Sequence, residues 1–201
     1  MLTATDLACS RGERQLFGGL NFHLEGGDWL HVKGENGCGK TTLLRTLIGL
    51  SPPDRGQIHW HGADTRARAD EYRRAFVYLG HQAGLKEELS PLENLRLSLA
   101  LDGFATGEEH LLEALYRMGL HGREDLPSRV LSAGQKRRVL LARLLLRPAD
   151  LWVLDEPFNA LDTAGVGLLC MMIATHLEVG GIAVLTSHQP MQIPRGQELA
   201  L

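Results

Sequence analysis

The stretch Gly34-Glu35-Asn36-Gly37-Cys38-Gly39-Lys40-Thr41-Thr42 fits the pattern G-x-x-x-x-G-K-[ST], which is typical of phosphate-binding loops. The residues before it, 28–33, include an apolar run that predicts a strand. The residues after it, 40–48, carry leucine and isoleucine at helical spacing, and Gly49 suits the end of that helix. Strand, glycine-rich loop and helix therefore follow one another in the order that a phosphate-binding loop requires.

The residue types of this stretch suit a phosphate accompanied by magnesium. Glycines lack Cβ atoms, so backbone N–H groups can turn toward an anion, and the N-terminus of the following helix favours negative charge. Lys40 would place a positive charge on the β- and γ-phosphates, and Thr41 would offer a hydroxyl to Mg²⁺. A chance match in a glycine-rich turn is the alternative, which the flanking strand and helix disfavour.

Composition limits the class of protein. The chain has 201 residues, of which 44% are hydrophobic, and this suits one compact domain with room for an inserted lobe. Its net charge of −3 argues against a strongly basic nucleic-acid binder. The cysteines Cys9, Cys38 and Cys170 lie far apart, which fits a reducing cytosol rather than a disulfide framework or zinc ribbon. No apolar run approaches the ~20 residues of a membrane span, and no secretory signal is predicted.

The first half of the chain predicts strands around the loop and then helices. Residues 2–8 and 16–24 alternate between apolar and polar, which predicts a hairpin, and residues 57–61 predict another short strand. An antiparallel sheet beside a parallel core is therefore expected. After a compact apolar strand at 76–79, the pattern becomes helical from Ser90 onward. Residues 84–129 are accordingly interpreted as a helical lobe inserted between core strands.

The second half alternates helices and strands, which is typical of an α/β fold. We predict helices over residues 132–146 and 164–177, and strands over 151–154 and 181–185. The strand at 151–154 is apolar throughout, as expected of a buried parallel strand.

Two acidic residues, Asp155 and Glu156, come directly after that buried strand. Ligands of open α/β sheets bind outside the carboxyl ends of the strands, so Asp155 is placed to hold Mg²⁺ through water. Glu156 would polarise the attacking water, a role that contributes about 10²–10⁴-fold to rate. An acidic helix cap is the alternative interpretation, and the phosphate-binding loop upstream makes it the weaker one.

The stretch Leu131-Ser132-Ala133-Gly134-Gln135 resembles the signature motif of ABC-type ATPases. The other motifs of that family occur in order along the chain: the phosphate-binding loop, Gln82, residues 151–156, Asn159-Ala160-Leu161-Asp162 and His188. The resemblance covers nearly the whole chain. It implies a single ABC-type ATP-binding domain over residues 1–201, with a P-loop NTPase (RecA-like) parallel-sheet core, an antiparallel β subdomain and the helical lobe. It also implies a nucleotide-sandwich homodimer.

The resemblance assigns roles to individual residues. Gln82 would be the switch glutamine that reaches Mg²⁺. Ser132 and Gly134, with Gln135, would contact the γ-phosphate bound by the opposite protomer, as the start of their helix also suggests. Asp162 would lie at the dimer seam, and His188 would hold the γ-phosphate and the attacking water.

One residue departs from the family pattern. ABC-type ATPases usually have an aromatic residue near position 11 that stacks on adenine, whereas this chain has Arg11. A guanidinium can also stack on a base, with about 0.5–2 kcal/mol typical of cation–π contacts. A solvated arginine with weak base recognition is the equally weighted alternative, in which case selectivity for ATP over GTP would be low.

Finer details resemble the CcmA family, the ATPase subunits of bacterial cytochrome c maturation that are often called haem exporters. They are Gly80-His81-Gln82, the alanine of the signature motif, Thr186-Ser187-His188-Gln189-Pro190 and residues 155–162. This resemblance implies a peripheral position on the cytoplasmic face of the inner membrane. It further implies docking through residues 84–96 on a CcmB-like membrane subunit, with CcmC- and CcmD-like proteins. ATP hydrolysis would be coupled to haem export or to release of the haem-loaded chaperone CcmE.

Three rival hypotheses remain at this stage. The chain could serve another ABC transporter that moves a lipid, drug or small solute. It could be a soluble ABC ATPase acting on nucleic acid, although such proteins usually carry coiled-coil insertions or tandem domains and this chain is slightly acidic. A kinase or GTPase would share the phosphate-binding loop but would have no use for the stretch at 131–135.

Overall fold

The computed structural model describes residues 1–80, 84–188, 193 and 196–201. The chain divides into two compact units, of which unit 1 comprises Met1–Tyr78, Ala149–Pro157 and Ile173–Leu201. Unit 2 comprises Leu79–Pro148 and Phe158–Met172, so it contains the predicted helical lobe together with the signature stretch. Within the described ranges, no helix combines the length and the apolar character needed to cross a bilayer.

The strands and helices that the sequence predicts occur in the expected order, among others that it does not predict. The described strands are β1 (Leu2–Arg11), β2 (Arg14–Leu24), β3 (Trp29–Lys33), β4 (Arg55–Trp60), β5 (Ala63–Asp64), β6 (Phe76–Leu79), β7 (Leu151–Leu154), β8 (Ile182–Thr186) and β9 (Gly196–Ala200). The α-helices among the described residues are α1 (Lys40–Leu47), α2 (Ala69–Ala75), α3 (Pro91–Leu101), α4 (Glu108–Arg117), α5 (Ala133–Leu146) and α6 (Thr163–Glu178). A single 3-10 turn at Ser128–Val130 precedes the signature stretch.

Unit 1 contains both predicted sheets. In one sheet the strand order is β2-β1-β4-β5, and the printed pairs β1–β2, β1–β4 and β4–β5 are all antiparallel. The other sheet has the order β6-β7-β8-β3-β9, in which β3 runs parallel to β8 and β9, and β7 runs parallel to β8. The expected α/β class, with a parallel core and an antiparallel β subdomain, is confirmed.

One hydrophobic core joins the two sheets of unit 1 to α1. Leu43, Leu44 and Leu47 of α1 are fully buried, and they belong to the same cluster as side chains of both sheets. Burying a leucine contributes about 1.5–3 kcal/mol, so this apolar face holds the helix that follows the phosphate-binding loop. Gly49 adopts a positive φ of 76° just after that helix, as predicted for its end.

The central strands bring polar groups to one edge of the parallel sheet. Every residue of β7 and of β8 is buried, which explains their continuous apolar sequences. Because β7 and β8 are parallel neighbours, with Leu154 opposite Leu185, their carboxyl ends lie side by side. Asp155 follows one strand and Thr186 ends the other, so side chains 31 residues apart become neighbours.

Unit 2 is built from helices that begin at well-defined caps. Ser90 Oγ accepts a hydrogen bond from Glu93 N while the Glu93 carboxylate accepts one from Ser90 N, so a capping box begins α3 where the helical pattern was predicted to start. Inside the unit, α3, α4 and α5 pack against one another. The amide of Asn94, buried near the start of α3, bonds to the backbone of the preceding segment and to Ser128 Oγ.

Candidate nucleotide site

The loop between β3 and α1 has the backbone of an anion cradle. Gly39, which caps α1, has φ 116°, and Gly37 has φ 83°; both values favour glycine. A Cβ at Gly39 would lie only 3.0 Å from Leu16 Cβ and 3.2 Å from Phe17 Cδ1. The second strand of the antiparallel sheet therefore abuts the loop so closely that a larger residue at position 39 would displace it.

Lys40 is the first residue of α1, and its ammonium stays beside the loop. The Nζ atom donates hydrogen bonds to Gly34 O at 2.7 Å and to Glu35 O at 3.1 Å. These bonds span the loop from its first residues to the helix. They hold a positive charge at the helix N-terminus, where the free N–H groups already favour an anion.

Thr41 and Asp155, which are 114 residues apart in the sequence, lie next to each other in the structure. The Thr41 hydroxyl donates a 2.7 Å hydrogen bond to Asp155 Oδ2, and the Asp155 side chain is almost fully buried. A hydroxyl beside a carboxylate is the oxygen donor set that Mg²⁺ accepts, usually together with water and substrate phosphate. The residues present therefore fit the expected metal.

Glu156 and His188 face each other at the same edge of the sheet. His188 Nε2 lies 3.4 Å from Glu156 Oε1, with the histidine more than half exposed and the glutamate buried. Glu156 also has a φ of 48°, an uncommon backbone conformation for a non-glycine residue. Unit 1 thus contains the predicted loop residues 34–42 together with Asp155, Glu156 and His188.

Sequence reasoning missed three residues that interact with this group. The Thr186 hydroxyl accepts a hydrogen bond from Glu156 N and donates one to Asp155 Oδ1. His31 of β3 is buried, and its Nε2 lies 2.9 Å from Ser187 O, directly before His188. Burial raises the pKa of Tyr78, and the charge of Asp155 raises it further. Only a polar residue at the end of an apolar strand, such as Thr186, offered a signal in the sequence.

The signature stretch forms a separate polar pocket inside unit 2. Ser132 caps α5 in a second capping box, in which its hydroxyl accepts from Gln135 N and its own N–H donates to Gln135 Oε1. A Cβ at Gly134 would lie 2.7 Å from Ala160 O, so the glycine permits a close backbone approach. The pocket has a volume of about 380 Å³ and is lined by Gly119, Ser132, Gly134, Gln135, Arg138, Ala160 and Asp162.

Asp162 is fixed by two partners within unit 2. Its Oδ1 accepts hydrogen bonds from Gly165 N at 2.9 Å and from Arg138 Nη2 at 2.5 Å. These partners lower the pKa of the Asp162 carboxyl, with the Gly165 N–H as the larger influence and Arg138 next. Arg138 was not predicted as a site residue, because nothing local marks it among the cationic residues that begin α5.

A sequence model of the ABC transporter family matches residues 17–159, which is most of the chain. The chain belongs to the ABC transporter family. Curated relatives include the "Cytochrome c biogenesis ATP-binding export protein CcmA" of Dechloromonas aromatica, 52% identical over 98% of this chain and 96% of the relative. The protein of the same name from Escherichia coli K12 is 50% identical over 96% and 91%. The chain is therefore a CcmA-like ABC ATPase.

Solved ABC cassettes share its architecture. An ABC transporter ATP-binding protein of Pyrococcus furiosus superposes with a TM-score of 0.86 at 25% identity, covering 98% of this chain and 96% of the other. A dimeric ATP-binding cassette bound to ADP and phosphate gives a TM-score of 0.82 at 23% identity, covering 94% and 88%. At that identity the second likeness concerns the fold alone.

The structure assigns no role to two further predicted site residues, Gln82 and Arg11. Gln82 lies outside the described residues, so its predicted reach to the metal stays a prediction. Arg11 ends β1 opposite Arg14 in the register of the hairpin, and its side chain is exposed. An exposed arginine at this turn is compatible with both base stacking and simple solvation, so its role also stays a prediction.

Proposed function

We propose that this ABC ATPase drives an export step of cytochrome c biogenesis by binding and hydrolysing ATP on a membrane complex. The assignment to cytochrome c biogenesis follows the CcmA relatives, which are 50–52% identical over nearly their whole length. The network that links the phosphate-binding loop to Asp155 and Glu156 carries the hydrolytic part, because it joins nucleotide binding to a positioned carboxylate.

Phosphate binding falls to the loop of residues 34–42. The loop N–H groups and the Lys40 ammonium offer positive charge at one helix end, which suits the β- and γ-phosphates of ATP. In the structure Lys40 bonds to two loop carbonyls, and these bonds orient its side chain along the loop. Replacing them by bonds to phosphate exchanges neutral acceptors for charged ones, which are stronger partners.

Thr41 and Asp155 are the described residues that would hold Mg²⁺, with Gln82 as the third predicted ligand. The Thr41 hydroxyl and the Asp155 carboxylate already adjoin each other, 2.7 Å apart. When bound, the metal neutralises charge on the β- and γ-phosphate oxygens. Asp155 would act through a water molecule, because Mg²⁺ usually keeps several waters.

Glu156 is the proposed base, and His188 is its partner. The buried Glu156 carboxylate, at the carboxyl edge of the parallel sheet, can accept a proton from an attacking water as the water adds to the γ-phosphate. His188 lies 3.4 Å from that carboxylate, so its imidazole can orient the same water and donate to a phosphate oxygen. The leaving group is ADP, and the chain itself forms no covalent bond to phosphate in this scheme.

The second half of the ATP site would come from another copy of the chain. Ser132 is the N-cap of α5, Gly134 and Gln135 lie in its first turn, and all three line the polar pocket of unit 2 together with Asp162. A helix N-terminus favours negative charge, which suits the γ-phosphate held by the opposite phosphate-binding loop. A solved ATP-binding cassette with the same fold is itself a dimer, which supports an assembly of two copies.

The membrane partner would be a CcmB-like subunit, accompanied by CcmC- and CcmD-like proteins, on the cytoplasmic face of the inner membrane. Residues 84–96 are the proposed docking segment, and in the described part they are tied to α3 by the Asn94 amide. A switch glutamine beside such a contact would let the bound nucleotide shift the balance between two conformations of the docking segment. Haem export, or release of haem-loaded CcmE, would be the work coupled to hydrolysis.

Two experiments test this function. Affinity purification of the full chain from bacterial membranes should bring along an integral membrane subunit of the cytochrome c maturation system; recovery with ribosomes or nucleic acid alone would contradict the assignment. In parallel, Glu156→Gln should slow ATP hydrolysis at least about 100-fold while ATP still binds and promotes dimers. The exposed Glu178→Gln serves as the matched control and should hydrolyse ATP normally. Normal turnover in Glu156→Gln would exclude Glu156 as the base.

A further inference from the structure

Thr186 lies between the two acidic residues of the proposed site. Its side chain has no solvent exposure, and its Oγ1 atom is 2.7 Å from Glu156 N and 2.9 Å from Asp155 Oδ1. The residue ends β8, whereas both acidic residues follow β7, its parallel neighbour. One hydroxyl therefore bridges two strands at the point where the chemistry is proposed to occur.

The direction of both hydrogen bonds is fixed by the groups involved. A backbone N–H can only donate, so the Thr186 oxygen accepts from Glu156 N. The hydroxyl hydrogen is then directed to the Asp155 carboxylate, which accepts. Since the Thr41 hydroxyl donates to Oδ2 of the same carboxylate, each Asp155 oxygen accepts a hydrogen bond from a threonine hydroxyl.

The same hydroxyl also supports an uncommon backbone. Glu156 has φ 48°, and a non-glycine residue in that region is strained unless its surroundings hold it there. The buried hydrogen bond from Glu156 N to Thr186 Oγ1 ties this backbone conformation to the end of β8. This turn directs the Glu156 carboxylate to within 3.4 Å of His188.

We propose that Thr186 is a positioning residue that sets both the metal-binding carboxylate and the proposed base. It acts through Asp155 and Glu156 and touches neither phosphate nor metal. The inference deepens the proposed function and rests on it, because the two carboxylates matter for rate only if the site hydrolyses ATP. The alternative is that the Thr186 side chain contributes only packing at the end of β8. Valine has the same shape without the hydroxyl, so a valine variant distinguishes the positioning role from the packing role.

The test compares Thr186→Val with Thr186→Ser in the full chain. Valine removes the hydroxyl and keeps the shape, and we expect kcat to fall about 10–100-fold, as for other residues that orient metal ligands. The Mg²⁺ concentration that supports tight binding of a fluorescent ATP analogue should rise by a similar factor, whereas binding of that analogue in EDTA should not change. Serine keeps the hydroxyl and should restore most of both properties.

A readout independent of catalysis is amide hydrogen exchange in the nucleotide-free protein. Exchange at Glu156 N should quicken in Thr186→Val and stay slow in Thr186→Ser, because only valine removes the acceptor. Thr65→Val is the matched control, since Thr65 is also buried and its hydroxyl bonds to Ile58 O in the antiparallel sheet. It should leave exchange at Glu156 and the Mg²⁺ requirement unchanged.

Each outcome decides the question. Equal losses in the valine and serine variants, or no loss in valine, would overturn the role of the hydroxyl. If Thr186→Val does not fold, the pair Thr186→Ser and Thr186→Ala repeats the comparison, because those variants also differ by one hydroxyl. If the natural protein hydrolysed no ATP together with its membrane partner, the proposed function would be wrong. The hydrogen exchange rates at Glu156 N would still support or overturn the positioning role of Thr186.

Discussion

The hydroxyl of Thr41 donates a hydrogen bond to the carboxylate of Asp155 across a gap of 114 residues in sequence, at 2.7 Å. Thr41 lies in the first turn of α1 and Asp155 follows the buried strand β7. The bond therefore joins the phosphate-binding loop directly to the carboxyl edge of the parallel sheet. A ligand that displaces the Thr41 hydroxyl would therefore also remove a hydrogen bond from the carboxylate.

Replacing Thr41 by valine should uncouple these two parts of the site. The variant keeps the volume of the side chain but removes the hydroxyl. That hydroxyl donates a hydrogen bond to Asp155 and is a proposed ligand of Mg²⁺. We expect Mg²⁺-dependent ATP binding to weaken about 10–100-fold. The measurement is a titration of a fluorescent ATP analogue with and without Mg²⁺, in which Thr41→Ser should behave like the natural protein. Equal affinity of Thr41→Val at all Mg²⁺ concentrations would contradict the assignment of Thr41 to the metal.

The phosphate-binding loop could be predicted because its information is local. A glycine-rich loop must follow a strand and precede a helix, and residues 28–49 contain all three signals in one short stretch. The helix caps at Ser90 and Ser132 could be predicted for the same reason, since a capping box spans four residues. Patterns of this kind need no knowledge of which strands become neighbours.

Elements whose stability comes from tertiary contacts were missed. The strand β9 reads Gly-Gln-Glu-Leu-Ala and is mostly exposed, so it lacks the apolar alternation that identifies a strand. It forms by pairing with β3, and the ion pair between Lys33 and Glu198 joins the same two strands. The helix α2 has seven residues and one buried side chain, Tyr72, which is too little for a periodic signal.

Contacts between distant strands explain the rest of the site. Thr186 appeared in the sequence only as part of a stretch around His188, and the pairing of β7 with β8 is what brings it to Asp155. Arg138 likewise meets Asp162 only because α5 and the turn before α6 fold together inside unit 2. The order of the motifs in the sequence predicted the candidate site residues. It did not predict the side chains, such as Thr186 and Arg138, that hydrogen-bond to those residues.

Gly134→Ala should damage the start of α5. An added Cβ would lie 2.7 Å from Ala160 O, and both groups are backbone-fixed, so the loop or the helix must move. Overpacking of this kind typically costs about 1–3 kcal/mol, which urea unfolding would detect. ATP-driven dimer formation should also weaken, because the displaced helix end is the proposed contact with the opposite γ-phosphate. Size-exclusion chromatography with a hydrolysis-deficient background measures that step.

The neighbouring Ala133 provides the matched control for that substitution. Ala133 is exposed at the first position of α5, and glycine there removes a methyl group without creating a close contact. Ala133→Gly should cost no more than about 1 kcal/mol, the helix propensity difference between the two residues. A Gly134→Ala protein as stable as Ala133→Gly, with normal dimer formation, would show that the approach to Ala160 is not restrictive.

Asn94→Asp should loosen the segment that precedes α3. The Asn94 amide nitrogen lies 2.9–3.1 Å from four acceptors, namely Lys86 O, Leu89 O, Ser90 O and Ser128 Oγ. Aspartate has nearly the same shape but presents oxygen to those acceptors, so attraction becomes repulsion. We expect the free energy of unfolding to fall by about 2–4 kcal/mol, as for a buried polar group left without donors.

Asn21 supplies the control, because it is exposed and its Nδ2 donates to Gly19 O while its Oδ1 accepts from Asp6 N. Asn21→Asp loses one solvent-accessible donor and keeps the acceptor, so its urea midpoint should change little. A loss in Asn94→Asp no larger than in Asn21→Asp would mean that the Asn94 amide does not hold the segment at 86–90. In that case the proposed docking segment would need another anchor.

His176 is a buried imidazole that stacks on an aromatic ring. Its ring lies 4.1 Å from that of Trp152 with an interplanar angle of 6°, and its Nε2 is 3.1 Å from Ile182 O. Burial lowers the pKa of His176 below its ordinary value of 6.5, and the smaller influences of the Ile182 carbonyl and Asp150 act in the opposite direction. The neutral form, with a hydrogen on Nε2, therefore suits the folded protein.

The lowered pKa of His176 makes stability depend on pH in a definite direction. Below about pH 6.5 the unfolded chain binds a proton at this residue while the folded protein binds less, so the free energy of unfolding should decrease as pH falls. His176→Gln keeps an N–H donor for Ile182 O but cannot titrate, so its loss of stability between about pH 7 and pH 5 should be smaller than that of the natural protein. The exposed His110→Gln controls for the removal of a histidine elsewhere. Urea unfolding at several pH values measures the slope, and an unchanged slope in His176→Gln would show that another group controls it.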